Sequence, residues 1–197
     1  MTKICKDMAK IKICGIRRKE DVEYLNELLP DYAGFILSPG FKRTINRETA
    51  KELRSLLSPK INVVGVFVND SIENIDFFLK NNIIDTVQLH GSESPEFCKR
   101  INADRIKYFS PKDFQKIAEY DTEYYLFDSG TGTGNTFDWS KIPNTTKPFF
   151  LAGGINKNNI ADAIAKVNPY CIDLSSAVET DGKKDYNKIK EIMEIIR

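Results

Sequence analysis

The feature that most constrains this sequence is a repeated alternation of short β-like runs with amphipathic helical stretches. Runs rich in Val, Ile, Phe and Tyr recur about eight times along the chain. Helix start signals lie between them, such as Asn46 before RETAKELRSLL and the Ser94-Pro95 pair. The alternation predicts a parallel sheet with helical crossovers. The predicted strands cover residues 10–14, 32–37, 61–68, 84–89, 105–109, 123–127, 148–152 and 170–174.

The residues that follow these strands favour a closed barrel over an open sheet. An open sheet concentrates its chemistry at one switch point, whereas a barrel uses many strand ends. Here polar or glycine residues follow nearly every predicted strand, as in Cys14-Gly15, Ser38-Pro39-Gly40, His90-Gly91, Asp128-Ser129, Gly153-Gly154 and Ser175-Ser176. We therefore predict one α/β domain, a (β/α)8 barrel with short loops over residues 10–197. Residues 1–9 are predicted to form an N-terminal extension.

Composition excludes several classes of protein. The net charge is +1, so no global field attracts the chain to nucleic acid or to a membrane surface. No apolar run reaches the ~20 residues of a membrane span. The start, MTKICKDMAK, lacks the apolar centre of a signal peptide. The 4 cysteines form no CxxC pair and there is 1 histidine, which argues against a zinc site and fits a reducing cytoplasm.

Two strand ends carry the candidate catalytic side chains. KIKIC ends in Cys14 before a glycine, and YYLF is followed by Asp128. In a parallel barrel both side chains lie at the same mouth, where such folds place their chemistry. A free cysteine is often a small core residue, and we expect that of Cys171; Cys98 lies within a predicted helix and Cys5 in the extension, and we expect no chemical role for either. The strand-end position of Cys14 favours a chemical role instead.

The loops after the last two strands predict a phosphate site. Phosphate in barrels often binds there, on backbone N–H groups that glycine allows to approach closely. Gly153-Gly154 and Ser175-Ser176 stand at these two places, although a tight turn and a serine N-cap would give the same residues. The glycine-rich segment 129–139 lacks a P-loop lysine, and we interpret it as a lid over the mouth.

Two further residues are candidates for substrate binding. Arg43 follows the second strand and can present a planar fork to a carboxylate, or it is a solvated surface charge. His90 ends the fourth strand, where it either binds substrate or satisfies a neighbouring loop. From the residues alone, both alternatives stay open for each.

Seven segments together resemble the phosphoribosylanthranilate isomerase family of tryptophan biosynthesis. They occur in the family's order and cover the chain from residue 12 to the last helix. They are KICGI (12–16), GFILSPGFKRTI (34–45), VGVFVN (64–69), VQLHG (87–91), FDSGTGTGNTFDW (127–139), LAGGI (151–155) and DLSSAVE followed by GKKD (173–185). Asn135 and Ala177 stand where the family commonly has lysine and glycine.

The resemblance implies a (β/α)8 barrel that catalyses an Amadori rearrangement of N-(5-phosphoribosyl)anthranilate without a metal or redox cofactor. It implies that Asp128 is the general acid, Cys14 the general base and Arg43 the partner of the anthranilate carboxylate. The glycine and serine pairs would hold the phosphate. A small phosphorylated substrate and a monomer or homodimer are expected. Alternatives are another sugar-phosphate aldose–ketose isomerase on the same barrel, or a non-catalytic phosphate-ligand sensor.

Overall fold

A computed structural model describes residues 8–129 and 136–197. Within these ranges eight parallel strands pair in chain order, and β1 pairs with β8 to close a barrel. The strands are β1 Lys10–Cys14, β2 Tyr32–Ile36, β3 Asn62–Phe67, β4 Thr86–Leu89, β5 Asp104–Phe109, β6 Tyr124–Phe127, β7 Phe149–Leu151 and β8 Cys171–Leu174. The predicted (β/α)8 barrel is confirmed, and each predicted strand overlaps an observed one.

Helices and 3-10 turns connect the strands on the outside of the barrel. The α-helices are α1 Lys19–Leu28, α2 Arg47–Leu56, α3 Ile72–Lys80, α4 Pro95–Lys99, α5 Ile160–Val167 and α6 Tyr186–Ile196. The 3-10 segments are Pro111–Glu119, Trp139–Lys141 and Ser176–Val178, and a hairpin of β9 Glu179–Thr180 and β10 Lys183–Lys184 precedes α6. In the described ranges, none of these helices has the length and apolar character needed to cross a membrane.

Local hydrogen bonds explain where the helices begin. Asn46, Ser71 and Ser94 each accept a bond from a backbone N–H in the first turn of the following helix. The segment after Ser110 forms a 3-10 helix. The helix after β7 begins after Asn159.

Strand alternation divides the side chains into two cores. Ile11 and Ile13 of β1 pack into the larger core, together with Val22 and Leu25 of α1. The smaller core fills the inside of the barrel with inward-facing residues such as Val64, Ile106, Leu126, Phe150 and Cys171. Lys12 and Cys14 alternate with the two isoleucines and therefore point inward. Cys171 is buried, as expected, and Cys98 is buried as well.

Candidate active site

One cavity of about 650 Å³ brings all the predicted site residues together. It lies at the carboxyl ends of the strands, the mouth at which barrels place their chemistry. Its lining includes Cys14, Arg43, His90, Asp128, Gly153, Gly154, Ser175 and Ser176. The roles of these residues stay predictions, but their placement in one cavity is a property of the structure.

Cys14 is the last residue of β1 and is 9% exposed at the cavity wall. Its neighbour across the β1–β2 pairing is Gly34. A Cβ atom at Gly34 would lie 2.8 Å from Cys14 Sγ and 2.9 Å from its Cα, closer than side chains tolerate. Gly34 was not predicted as a site residue, and its missing side chain leaves room for the thiol.

The charges around Cys14 act in opposite directions. Burial raises the pKa of its thiol; the ammonium groups of Lys12 and Lys184 oppose that rise, and the carboxylate of Asp173 adds to it. Lys12 is fully buried, and its Nζ donates to Asp173 Oδ2 at 2.7 Å. Burial alone would lower the pKa of Lys12, but the attraction of Asp173 and Cys14 outweighs it, so this pKa is raised.

Asp128 follows β6 and lies against the Gly153 turn. The Ser129 hydroxyl donates to Asp128 Oδ1 at 3.4 Å. Gly153 has φ +81°, and a Cβ there would approach Asp128 Oδ1, Ser129 N and Ser129 Oγ to 2.6 Å each. Gly153 is thus needed both for its backbone conformation and for the close approach to the candidate acid.

The glycine-rich segment interpreted as a lid lies largely outside the described residues. Residues 130–135, which include Asn135, belong to the part of the chain that is not described. Beyond them, Trp139–Lys141 forms a 3-10 turn, where Asp138 Oδ1 accepts a bond from the Ser140 N–H at 3.1 Å. The lid therefore stays a prediction.

Two asparagines shape the loop after β7. The side-chain amides of Asn156 and Asn159 both donate to the Gly154 carbonyl, at 3.1 and 2.9 Å. In a trans peptide the following N–H, that of Ile155, points away from the carbonyl and so away from the asparagines. Asn159 is also the residue that directly precedes α5. Asn156 lines the cavity and was not identified from the sequence.

The loop after β8 lies beside Cys14. The Ser175 hydroxyl donates to the Cys14 carbonyl at 3.2 Å, which ties the two strand ends together. Ser176 and Ala177 belong to the 3-10 segment, and Ala177 is not among the described residues with positive φ. Alanine therefore fits this position without backbone strain.

Arg43 is held by an acidic residue of the β9–β10 hairpin. Its Nε and Nη2 donate to the two oxygens of Glu179 at 2.7 and 2.6 Å, and Lys184 Nζ donates to Glu179 Oε1 at 2.7 Å. Burial alone would raise the pKa of Glu179, but the bonds from Arg43 and Lys184 outweigh it and lower the pKa to about 2. Arg43 is thus an ordered part of the cavity wall.

His90 packs into the cavity wall by its ring. It stacks on Tyr108 with the ring centroids 4.2 Å apart, and Gln88 Nε2 donates to its Nδ1 at 2.9 Å. Burial, followed by the charge of Lys12, lowers the pKa of His90 to about 4. A neutral imidazole at pH 7 therefore lines the cavity.

Two buried oxygens on the cavity wall have no partner among the described residues. They are Gln88 Oε1 and Asp173 Oδ1. A buried acceptor without a hydrogen bond costs free energy, so either side chain would gain by turning its free oxygen toward a hydroxyl donor in the cavity. Polar residues at inward positions of KIKIC, TVQL and CIDL are the signal that could have identified Lys12, Gln88 and Asp173.

Comparisons with known proteins agree with this geometry. Residues 11–195 match the family described as N-(5'phosphoribosyl)anthranilate (PRA) isomerase. The isomerase of Endomicrobium trichonymphae is 47% identical over 199 residues, with 96% of this chain and 99% of that protein covered. That of Thermoanaerobacter sp. (strain X514) is 43% identical, with 96% and 98% covered.

Solved structures give the same result. The phosphoribosyl anthranilate isomerase of Thermus thermophilus superposes with a TM-score of 0.84 at 30% identity, covering 94% of this chain and 97% of that one. The Thermotoga maritima structure superposes at 0.84 with 33% identity, covering 96% and 98%. Another solved isomerase, in complex with reduced 1-(o-carboxyphenylamino)-1-deoxyribulose 5-phosphate, superposes at 0.81 with 33% identity, covering 96% and 98%. The chain therefore belongs to the phosphoribosylanthranilate isomerase family.

Proposed function

We propose that this chain converts N-(5-phosphoribosyl)anthranilate to 1-(2-carboxyphenylamino)-1-deoxyribulose 5-phosphate, an Amadori rearrangement of tryptophan biosynthesis. The observation that carries the proposal is that a thiol at the end of β1 and a carboxyl group after β6 line one cavity. That cavity also holds the two loops suited to a phosphate and an arginine suited to a carboxylate. Family membership supports the same reaction.

Cys14 and Asp128 have complementary roles in the proposed mechanism. The Asp128 carboxyl group donates a proton to the ribose ring oxygen, and the ring opens to an iminium ion. The iminium acidifies the adjacent C2–H bond, so a thiolate of free pKa ~8.5 is a sufficient base, and Cys14 takes that proton. The resulting enolamine gains a proton at C1 and loses its enol proton, which gives the ketone product.

The two anionic ends of the substrate are assigned to two sides of the cavity. The phosphate is assigned to the loops at Gly153-Gly154 and Ser175-Ser176. The anthranilate carboxylate is assigned to Arg43, whose guanidinium has five N–H groups, of which Glu179 uses two. The edge formed by Nη1 and Nη2 suits a second carboxylate, while Glu179 fixes the plane of the fork.

The sugar hydroxyl groups are assigned to the cavity wall. Gln88 Oε1 and Asp173 Oδ1 are buried acceptors that find no donor in the described ranges. A ribose or ribulose hydroxyl supplies the missing donor, and an apolar ligand does not. His90 stays assigned to substrate binding, as a neutral ring beside Gln88.

The cellular setting follows from the same proposal. A biosynthetic isomerase in which Cys14, Cys98 and Cys171 are free thiols fits the cytoplasm, and its partner is a small phosphorylated substrate rather than nucleic acid or membrane. One solved Thermotoga maritima structure is described as monomers generated from a dimeric isomerase. We accordingly assign this chain as a monomer or a homodimer, which sedimentation of the purified protein distinguishes.

Turnover by the purified chain tests the proposed function. The anthranilate-derived substrate is fluorescent, and the wild-type chain is expected to remove its signal. Cys14→Ala and Asp128→Asn should each lower kcat at least ~10²-fold with a much smaller change in KM. Cys98→Ala is the matched control, because Cys98 is buried in α4 away from the cavity, and it should keep its kcat.

Three outcomes would contradict the proposal. Tight binding of the substrate without turnover by the wild-type chain would indicate a sensor of phosphorylated ligands. Near-normal kcat in both the Cys14 and the Asp128 variant would refute the acid–base assignment. Turnover of another aldose phosphate, with none of the anthranilate derivative, would indicate a different isomerase on this barrel.

A further inference from the structure

Lys12 is a charged residue in an unusual place. It is the middle residue of β1, its side chain is 0% exposed, and its Nζ forms an ion pair of 2.7 Å with Asp173 on β8. Removing two charges from water costs several kcal/mol per ion, which a single pair often does not recover. An apolar pair would fill this part of the barrel at lower cost, so the charge of Lys12 calls for another explanation.

The position of Lys12 links it to Cys14. The two residues are separated by one position on β1, so they project to the same inner side, with Cα atoms about 7 Å apart. The Lys12 ammonium is close enough for its charge to act on the Cys14 sulfur: it opposes the rise in the thiol pKa, and the sulfur in turn helps to raise the pKa of Lys12. Lys12 is not among the residues that line the cavity, whereas Cys14 and Asp173 are. Any effect of Lys12 on the reaction therefore passes through a neighbour.

We propose that Lys12, oriented by Asp173, is a positioning residue that stabilises the thiolate form of Cys14. The proposal rests on the assignment of Cys14 as the general base. Burial disfavours the thiolate, and a fixed ammonium in the layer below offsets that penalty without entering the space of the substrate. Asp173 holds the ammonium in place but opposes its effect, because its own charge repels the thiolate.

Two other cations near Cys14, Lys184 and Arg43, are both paired with Glu179. Lys184 Nζ donates to Glu179 Oε1 and to the Ser175 carbonyl, at 2.7 and 3.0 Å. Arg43 is paired with the same Glu179 carboxylate. Lys12 is also paired with an anion, Asp173, but it differs from these two cations because it is fully buried and lies two residues before Cys14 on the same strand.

The proposal is tested by two variants, Lys12→Met and Asp173→Asn, that should shift the pKa of the Cys14 thiol in opposite directions. The pH dependence of iodoacetamide modification, followed by mass spectrometry of the peptide that contains Cys14, reports the thiol pKa without any turnover. Lys12→Met should raise the midpoint by at least about one pH unit, and Asp173→Asn should lower it. Both variants break the same ion pair, so a purely structural role would move the two midpoints in the same direction and would overturn the proposal.

The same proposal predicts that Lys12→Met changes kcat much more than KM. Lys12→Met should lower kcat about tenfold at pH 7 with KM little changed, and raising the pH should restore much of the loss. Lys107→Met is the matched control, because Lys107 is also buried and paired with an acid, Glu93, at 2.9 Å, but projects outside the barrel. That control should leave the Cys14 midpoint unchanged.

A double variant keeps the proposal testable if Lys12→Met does not fold. Lys12→Met with Asp173→Asn leaves neither charge buried without its partner. Its midpoint should lie above that of the wild type, because the attraction of Lys12 exceeds the repulsion of Asp173; a midpoint at or below wild type would contradict the proposal. If Cys14→Ala were fully active, the base assignment would fail, while the midpoints would still report on Lys12.

Discussion

The two ends of the barrel are built from the same strands but differ in how the side chains fill them. At the amino ends, Tyr32, Tyr124 and Tyr170 close the barrel around Phe150, with ring centroids 5.2–5.8 Å apart. Their polar atoms satisfy one another, since the hydroxyl groups of Tyr32 and Tyr170 lie 2.9 Å apart. The carboxyl ends instead surround a cavity.

The difference lies in where the polar atoms find partners. At the mouth, two buried oxygens have no partner among the described residues, and a lysine is buried near a thiol. Each of these features costs stability in the empty barrel. The closed end supplies apolar and aromatic packing without such costs. The comparison indicates that stability and chemistry are separated along the barrel axis.

The largest effect on the free energy of unfolding is expected for Phe150→Ala at the closed end. Phe150 is fully buried, so truncation should lower the free energy of unfolding by about 3–5 kcal/mol. Denaturant unfolding measures that loss, and kcat measured at a temperature where the variant is folded should stay within a few-fold of wild type. A kcat loss as large as that of Cys14→Ala would show that the two ends are not separable.

The next largest effect is expected in the pH dependence of stability, through His90. His90 is the 1 histidine of the chain, so its ring protons can be followed by NMR without ambiguity. Its pKa should be about 4 rather than the ~6.5 of an exposed histidine. Between these values the unfolded chain binds more protons, so the free energy of unfolding should fall as the pH falls from ~6.5 to about 4. A His90→Gln variant should lack that part of the decline; a midpoint near 6.5 would contradict the buried neutral ring.

Gly153→Ala sharpens the comparison at the mouth, with Gly40→Ala as its matched control. Both glycines have positive φ, +81° and +89°, so both variants carry the ~1–2 kcal/mol strain of a left-handed alanine. A Cβ at Gly153 collides with Asp128, whereas one at Gly40 has no atom within 4 Å from the described residues other than its two chain neighbours. Gly153→Ala alone should lower kcat, by about tenfold. Equal kcat losses in the two variants would refute the close-approach argument.

The smallest effect is expected for Tyr32→Phe. The change removes one hydroxyl of the pair with Tyr170 and keeps the ring packing, so it should cost about 1 kcal/mol of unfolding free energy. Steady-state kinetics should be unchanged. A change in KM would show that the closed end influences the mouth.

Sequence periodicity predicted the strands because their signals are local. Every observed strand lies within two residues of its predicted bounds, and Asn46 and Ser94 cap the expected helices. The 3-10 geometry after Ser110 and the start of α5 were not predicted, since they depend on contacts with the rest of the barrel. The extension over residues 1–9 stays a prediction, because residues 1–7 are outside the described part.

The candidate site was predictable only where a residue type marks a strand end. Cys14, Asp128 and the glycine and serine pairs were found in that way. The ion pair of Lys12 with Asp173 joins residues 161 positions apart, and that of Arg43 with Glu179 joins residues 136 apart. Closure of the barrel creates both pairs, so no local pattern could show that Arg43 already has an acidic partner.

The most direct test of the central claim uses substrate that carries deuterium at C2 of the ribose. Cys14 is assigned to remove that hydrogen, so Cys14→Ser should make this step limiting and show a primary kinetic isotope effect on kcat. Asp128→Asn should make ring opening limiting and show no such effect, although its kcat is also low. The reverse pattern, an isotope effect in Asp128→Asn and none in Cys14→Ser, would contradict the assignment of base and acid at the mouth of this barrel.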